Sequence, residues 1–241
     1  LISNLQEKNL QLENKILSFN NDQKEIEEVI SRTLANLDII EDQLLKEGIK
    51  TIEEWGFTYK TCGFSWIKQN KNFGFDELFL EKKLESFRKK NKDYIYPSFN
   101  TIAGSGPNSA IIHYRSSKKT NRKIKKNDIF LCDSGGQYKY GTTDVTRTIC
   151  FSKPSEKIKN IFTRVLKGHI AVFKTNLNII KTGEEIDKRA RFFLNKIKLN
   201  YNHGTGHGVG HFLNVHEGPQ AISKYNYVKI LPGMILSNEP G

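Results

Sequence analysis

From Gly204 to Gly210 every second residue is glycine, and four of the chain's six histidines fall between His203 and His216. A glycine in a helix interior costs about 1 kcal/mol relative to alanine, so four within seven residues exclude a stable helix. The zinc helix of the His-Glu-x-x-His type is excluded with it. In an extended chain His203, His207 and His211 share a face, and the glycines let backbone or substrate approach closely. A phosphate cradle is the competing reading of Gly204 to Gly210, but the Gly-Lys-Ser/Thr ending of phosphate loops is missing. Any one of these histidines could be an ordinary buried residue; four together point to a site.

A second pattern lies upstream, where Asp128 to Phe151 reads as a β-hairpin. Alternation puts Ile129, Leu131 and Asp133 on one face of the outgoing strand and Asp144, Thr146 and Thr148 on one face of the returning strand. If the turn centres on Tyr138 and Lys139, Asp133 stands directly opposite Asp144. Facing side chains are about 4.5–5.5 Å apart at Cβ, and unpaired like charges so placed repel. A shared cation resolves the conflict, and the separation suits two metals about 3.5–4 Å apart. The alternative is two aspartates flanking a turn with no common partner. Glu239 sits before Pro240 and Gly241, after an expected strand from Met234 to Ser237. Two Asp, one His and one Glu are oxygen and imidazole donors, which suit Mn²⁺, Zn²⁺ or Fe²⁺ better than thiolate-seeking metals do.

The first 45 residues carry a heptad, with Ile2, Ile16, Ile30, Leu37 and Leu44 at one seam position and Leu5, Leu12, Phe19, Ile26 and Ile40 at the other. Either this helix finds a partner through residues 2–44, in another copy or another helix, or it lies as an amphipathic helix on the chain's own body. Residues 46–75 mix glycines with Trp55, Phe57, Phe64 and Trp66 and read as a junction. The main domain is expected over 76–241. It holds a helix from Asp76 to Lys90 and strands at Tyr94–Tyr96, Ala110–Tyr114, Ile129–Cys132 and Val145–Phe151. Further helices are expected at Glu156–Phe173 and after Thr182, where Glu184 and Glu185 favour the helix dipole.

Composition narrows the class. The 241 residues are 37% hydrophobic and 27% charged, which excludes disorder throughout. No apolar run approaches the ~18 residues of a membrane span, and neither end resembles a targeting signal. Both ends read as cut from something longer. Three widely spaced cysteines argue against a disulfide scaffold or a cysteine zinc site and favour a reducing, cytoplasmic setting. The net charge of +12 raises the question of a polyanion partner. The lysines, however, are spread along the chain with one denser run from Lys118 to Lys126, which favours a solvated surface over nucleic acid binding.

The strings PSFNTIAGSGPNSAIIHYR, DSGGQYKYGTTDVTRT, HGTGHGVGHFLNVHEGPQ and NEPG, in this order, resemble the catalytic domain of aminopeptidase P, the Xaa-Pro aminopeptidases of the pita-bread metallopeptidases. The likeness runs from about Phe64 to Gly241. It implies an α+β pita-bread fold, incomplete here and preceded by the heptad helix. It implies that Asp133, Asp144, His207 and Glu239 hold two divalent metals, usually Mn²⁺, with Zn²⁺, Co²⁺ or Fe²⁺ as alternatives. Glu239 would also act as general acid/base, while His113, His203 and His216 line the substrate site. His211 stands where the family varies and receives no role. The implied reaction releases an N-terminal residue that precedes proline, by attack of a hydroxide shared between the metals. The family's fifth ligand, a second Glu in an Ile-Glu-Asn string, would lie beyond Gly241, so the resemblance implies an incomplete and inactive site in these 241 residues taken alone. The rival readings are a non-catalytic pita-bread module that binds protein or nucleic acid, and an inactive gene remnant. Retention of Asp133, Asp144, His207 and Glu239 favours the enzyme.

Overall fold

The computed structural model describes residues 74–212 and 214–241. The expected heptad helix over residues 1–45, and the junction apart from Gly74 and Phe75, lie outside the described residues.

Helix α1 (Glu77–Arg88) begins where Asp76 caps it, the side chain accepting from the Phe79 N–H at 2.7 Å. Leu80 and Leu84, four residues apart, form its buried stripe. Glu77 is buried as well, as a carboxylate with no exposed surface. It accepts from the backbone N–H groups of Ser105 and Arg122, from Asn108 Nδ2 and from the Tyr114 hydroxyl. A buried charge is tolerated only when it is met by donors in this way. The knot ties the whole 105–122 loop to the first turn of α1.

Six strands follow: β1 (Tyr94–Pro97), β2 (Ile102–Ser105), β3 (Ile129–Ser134), β4 (Gly136–Tyr138), β5 (Gly141–Thr142) and β6 (Val145–Cys150). They form two antiparallel sheets in the orders β1-β4-β5 and β2-β3-β6. Phe130, Cys132 and Ser134 are the buried face of β3. Phe130 and Cys132 pack with Ala103, Ile149, Leu80 and Leu84 into one core. Ile129, Leu131 and Asp133 therefore look the other way, as the alternation requires.

The hairpin register differs from the expectation. Asp133 pairs with Thr146, and Tyr138 with Gly141. The turn thus centres on Lys139 and Tyr140, one residue later, and a shift of one at the turn moves every facing pair by two. Asp144 is not opposite Asp133. It lies two positions before Thr146, diagonal to Asp133 rather than across from it.

Two other expected strands are absent. Residues 110–114 are no strand: a 3-10 turn over Gly106–Ala110, with Pro107 in its first turn, leads into a loop in which His113 takes a φ of 54°. The Gly-Pro-Asn-Ser string is turn chemistry, and the pull of Glu77 on Asn108 and Tyr114 holds it. Residues 234–237 make only a single bridge, Gly208 to Leu236. In the glycine-rich segment only β7 (Gly206–His207) is a strand, paired with β8 (Ala221–Ile222).

The helices match the expectation more closely. Helix α2 spans Glu156–Phe173 and α3 spans Gly183–Asn195. Thr182 and Glu185 form a reciprocal capping box at the start of α3. Ile186 of α3 meets Ile222 and Ile230 in a second core under β8. Among the described residues no helix is long and apolar enough to cross a membrane.

Candidate metal centre

The side chains that meet in the site come from four stretches of chain. Asp133 projects from the face of β3 turned away from the core, and Asp144 arrives just ahead of β6. His207 ends β7. Glu239 lies on the last segment, which runs beside 205–208: Ser237 N donates to His207 O, His207 N to Ser237 Oγ, and Glu239 N to Thr205 O, at 2.8, 2.9 and 2.7 Å.

This close approach explains the glycines around His207. A Cβ on Gly206 would strike the Ser237 carbonyl, and one on Gly208 the Glu217 carbonyl. Behind them Thr205 is buried and donates to Asp187 of α3 at 2.5 Å. Arg191, one turn further along α3, bonds Asp187 Oδ2 at 2.8 Å and donates to the Tyr201 and His203 carbonyls. The network fixes the height at which β7 leaves α3.

His207 Nε2 lies 3.1 Å from Asp144 Oδ2 and 3.0 Å from Glu239 Oε1. Its other nitrogen, Nδ1, is 2.9 Å from the Gly208 carbonyl. A carbonyl only accepts, so Nδ1 carries hydrogen, and loss of the other ring proton would leave the Nε2 lone pair aimed at the carboxylates. Ligand atoms of Asp144, His207 and Glu239 all lie within 4.8 Å of one another. Asp133 faces the same pocket. Its Oδ1 is buried with no hydrogen-bond partner among the described residues. Such an orphaned carboxylate oxygen, beside two more carboxylates and an imidazole nitrogen, fits a hard divalent cation that displaces the ring proton.

The electrostatics agree. Burial pushes the Asp133 carboxyl up to about 6 against the Thr146 hydroxyl that favours its anion, and Asp144 and Glu239 push it further. Burial by itself would lower His207, yet hydrogen bonds from its ring to Asp144 and Glu239 raise it to about 10. Burial would raise Glu239, but the same His207 contact and the Ser237 hydroxyl hold it below the usual carboxylate range. In the protein alone the His207 imidazolium is therefore the cation among the three carboxylates.

His216 packs edge-on against His207 with ring centroids 4.0 Å apart, and His113 stands 6.4 Å from His216. Both line the pocket. Burial, followed by the neighbouring His207 charge, lowers the His216 pKa. Of the other two histidines of the cluster, His203 reaches the site only through its charge on Glu239, and His211 falls off the expected common face with His203 and His207 because the chain turns beyond β7. His203 is not among the pocket-lining residues. Its Nδ1 and Nε2 lie 2.8 Å from the Gly204 and Gly241 carbonyls, and its ring rests on Tyr201. His211 is exposed. The sequence reading gave no role to Phe99, Asn100 or Arg115, which also line the pocket. Arg115 carried a usable signal, two residues from His113 in the same string.

The sequence signature of metallopeptidase family M24 matches residues 39–241. The chain belongs to metallopeptidase family M24. Among family M24 relatives, a probable Xaa-Pro aminopeptidase P of Laccaria bicolor is 43% identical over 218 residues, covering 88% of this chain and 34% of that protein. Aminopeptidase P2 of Arabidopsis thaliana is 46% identical over 183 residues, covering 74% and 26%. The chain thus spans about a quarter to a third of the length of these relatives. Among solved structures, the X-prolyl aminopeptidase of Caenorhabditis elegans, described as a cytosolic enzyme with a di-nuclear active site, superposes with a TM-score of 0.69 at 36% identity, covering 76% of this chain and 30% of that one. The prolidase of Pyrococcus horikoshii follows with a TM-score of 0.66 at 31% identity, covering 80% and 53%. These neighbours share the pita-bread α+β fold.

Proposed function

We propose that residues 76–241 are a catalytic domain that releases an N-terminal residue preceding proline, with Asp133, Asp144, His207 and Glu239 holding two divalent ions, Mn²⁺ first among them. The observation that carries this reading is the convergence of Asp144, His207 and Glu239, with Asp133 lining the same pocket as Asp144 and Glu239 and keeping one buried oxygen without a partner among the described residues. The Xaa-Pro aminopeptidases among its relatives supply the substrate class. We also propose a cytosolic setting, as described for the Caenorhabditis elegans enzyme, and a helical partner or second copy bound through residues 2–44.

When bound, the ions would supply a water acidified to about neutral pKa and polarise the scissile carbonyl. The chain's own residues do the rest. Gly208 holds the His207 ring in its ligating tautomer. Glu239, 3.0 Å from that ring, is placed to take a proton from the attacking water and return it to the leaving nitrogen. His216 and His113 at the pocket wall can donate ring N–H groups to the carbonyl oxygen as charge develops there. Phe99, Ile102 and Val215 give the pocket an apolar wall that suits a pyrrolidine ring and keeps bulk water back.

Two divalent ions bring four positive charges, and the described donors answer with three carboxylates. Residues 1–241 by themselves are therefore expected to hold about one ion tightly and to turn over slowly; a chain extended through an Ile-Glu-Asn strand would be active. The test compares residue release from Ala-Pro-Ala and Ala-Ala-Ala by the extended chain in Mn²⁺. Strong preference for the proline peptide is expected, and equal release would overturn the reading.

A further inference from the structure

Arg115 stands apart from the chemistry described above. It is the only Lys or Arg among the residues that line the pocket, whose floor is built from Asp133, Asp144 and Glu239. Its placement is not accidental exposure. The preceding residue, Tyr114, is 5% exposed and anchored by its hydroxyl to the buried Glu77 carboxylate, so the backbone that presents Arg115 is tied to the first turn of α1. The guanidinium is also held at its far end. With the Asn100 amide turned so that its oxygen faces the cation, Asn100 accepts from Arg115 Nη2 at 2.7 Å and from Nη1 at 2.5 Å. A guanidinium has five N–H donors in a fixed plane. Asn100 engages two of the heavy atoms and leaves the rest of the fork free. Glu81 feels the Arg115 charge, and among the described residues no carboxylate forms an ion pair with Arg115.

A rigidly presented fork at the wall of an acidic pocket selects a planar anion. A peptide entering the site has two charged ends. Its α-ammonium is attracted by the carboxylates of the floor and repelled by Arg115, so the arginine faces the other end. We propose that Arg115 is a specificity residue that pairs with a carboxylate on the leaving side of the peptide, the C-terminal carboxylate of a short substrate or an acidic side chain just beyond the proline. The inference rests on the peptidase reading of the site and adds a preference for short or acidic peptides.

The test reads binding rather than turnover, on the 241-residue chain with and without Mn²⁺. Pro-Ala, Pro-Ala-amide and Pro-Asp-amide have no residue ahead of the proline and are not cleaved, so their dissociation constants follow from calorimetric titration. Charge-assisted bonds of this kind are worth about tenfold or more in affinity. Pro-Ala is expected to bind about tenfold tighter than Pro-Ala-amide, and Arg115→Ala should bring the two within about twofold, with Arg115→Lys between. Tight binding of Pro-Asp-amide would assign the preference to an acidic side chain, and weak binding to the chain terminus. Acid and amide that bind alike to the wild type, or an acid preference that survives Arg115→Ala, overturns the proposal. Gly-Ala separates the two readings. If it binds as well as Pro-Ala while the acid preference persists, the proline reading fails and the role of Arg115 stands.

Discussion

Metal binding to this pocket should expel protons, and the number follows from two groups. A ligating His207 must be neutral, yet in the protein alone Asp144 and Glu239 hold its pKa at about 10. Asp133 must be ionised, yet burial places it at about 6. Both shifts are upward, so both favour the protonated, metal-free state, and both penalties grow as pH falls. At pH 7 His207 is almost fully protonated and Asp133 about one-tenth protonated, so binding one ion to this donor set should release about 1.1 protons. The count rises to about 1.5 at pH 6, where Asp133 is half-titrated. Apparent affinity should fall about tenfold for each pH unit between 9 and 7 and more steeply below 6. Calorimetric titration of Mn²⁺ in two buffers of different ionisation enthalpy counts the protons directly. Release near zero at pH 7 would refute the reasoning, because it would mean that His207 is already neutral or does not bind the metal.

Asp133→Asn should stabilise the metal-free protein at neutral pH. Raising a carboxyl from 3.8 to about 6 leaves the folded state destabilised at pH 7 by on the order of 3 kcal/mol. That penalty is absent below pH 3.8 and grows as pH rises to about 6, so the gain in Tm should be seen at pH 7 and vanish near pH 4. Glu77→Ala should cost on the order of 3 kcal/mol, since it strands the backbone N–H groups of Ser105 and Arg122 and leaves Asn108 and Tyr114 only each other and the Thr120 carbonyl; chemical denaturation will measure it. His216→Ala in the extended, active chain should lower kcat about 10²-fold with metal content unchanged. A parallel loss of metal would make His216 a ligand instead.

The helices and the donor types were legible in the sequence because their signals are local. Thr182 with Glu185 marks the start of α3, and the Leu80 and Leu84 spacing marks the buried face of α1. That Asp133 shares a face with Ile129 and Leu131 followed from simple alternation, whereas which face of β3 meets the core is set by its packing on α1. The register of the same hairpin did not, because no Asn-Gly or Gly-Gly pair marks its tip; a side-chain contact from Lys139 to Asp93 helps set it instead. The run Ala110–Tyr114 is apolar enough for a strand, and only the distant Glu77 makes it a loop. Asp187, Arg191 and Thr205 were invisible for the same reason: each is an ordinary polar residue until α3 and β7 meet. The glycine-rich segment announced close approach without saying which of its histidines the approach served.

The central claim is that Asp133, Asp144, His207 and Glu239 form one divalent metal site, and Mn²⁺ titration of the purified 241-residue chain beside its Asp144→Asn variant tests it most directly. The account predicts about one tightly bound ion in the wild type and at least a hundredfold weaker binding in the variant, with the fold retained by circular dichroism. No bound ion in the wild type, or equal affinity in the two proteins, would contradict it.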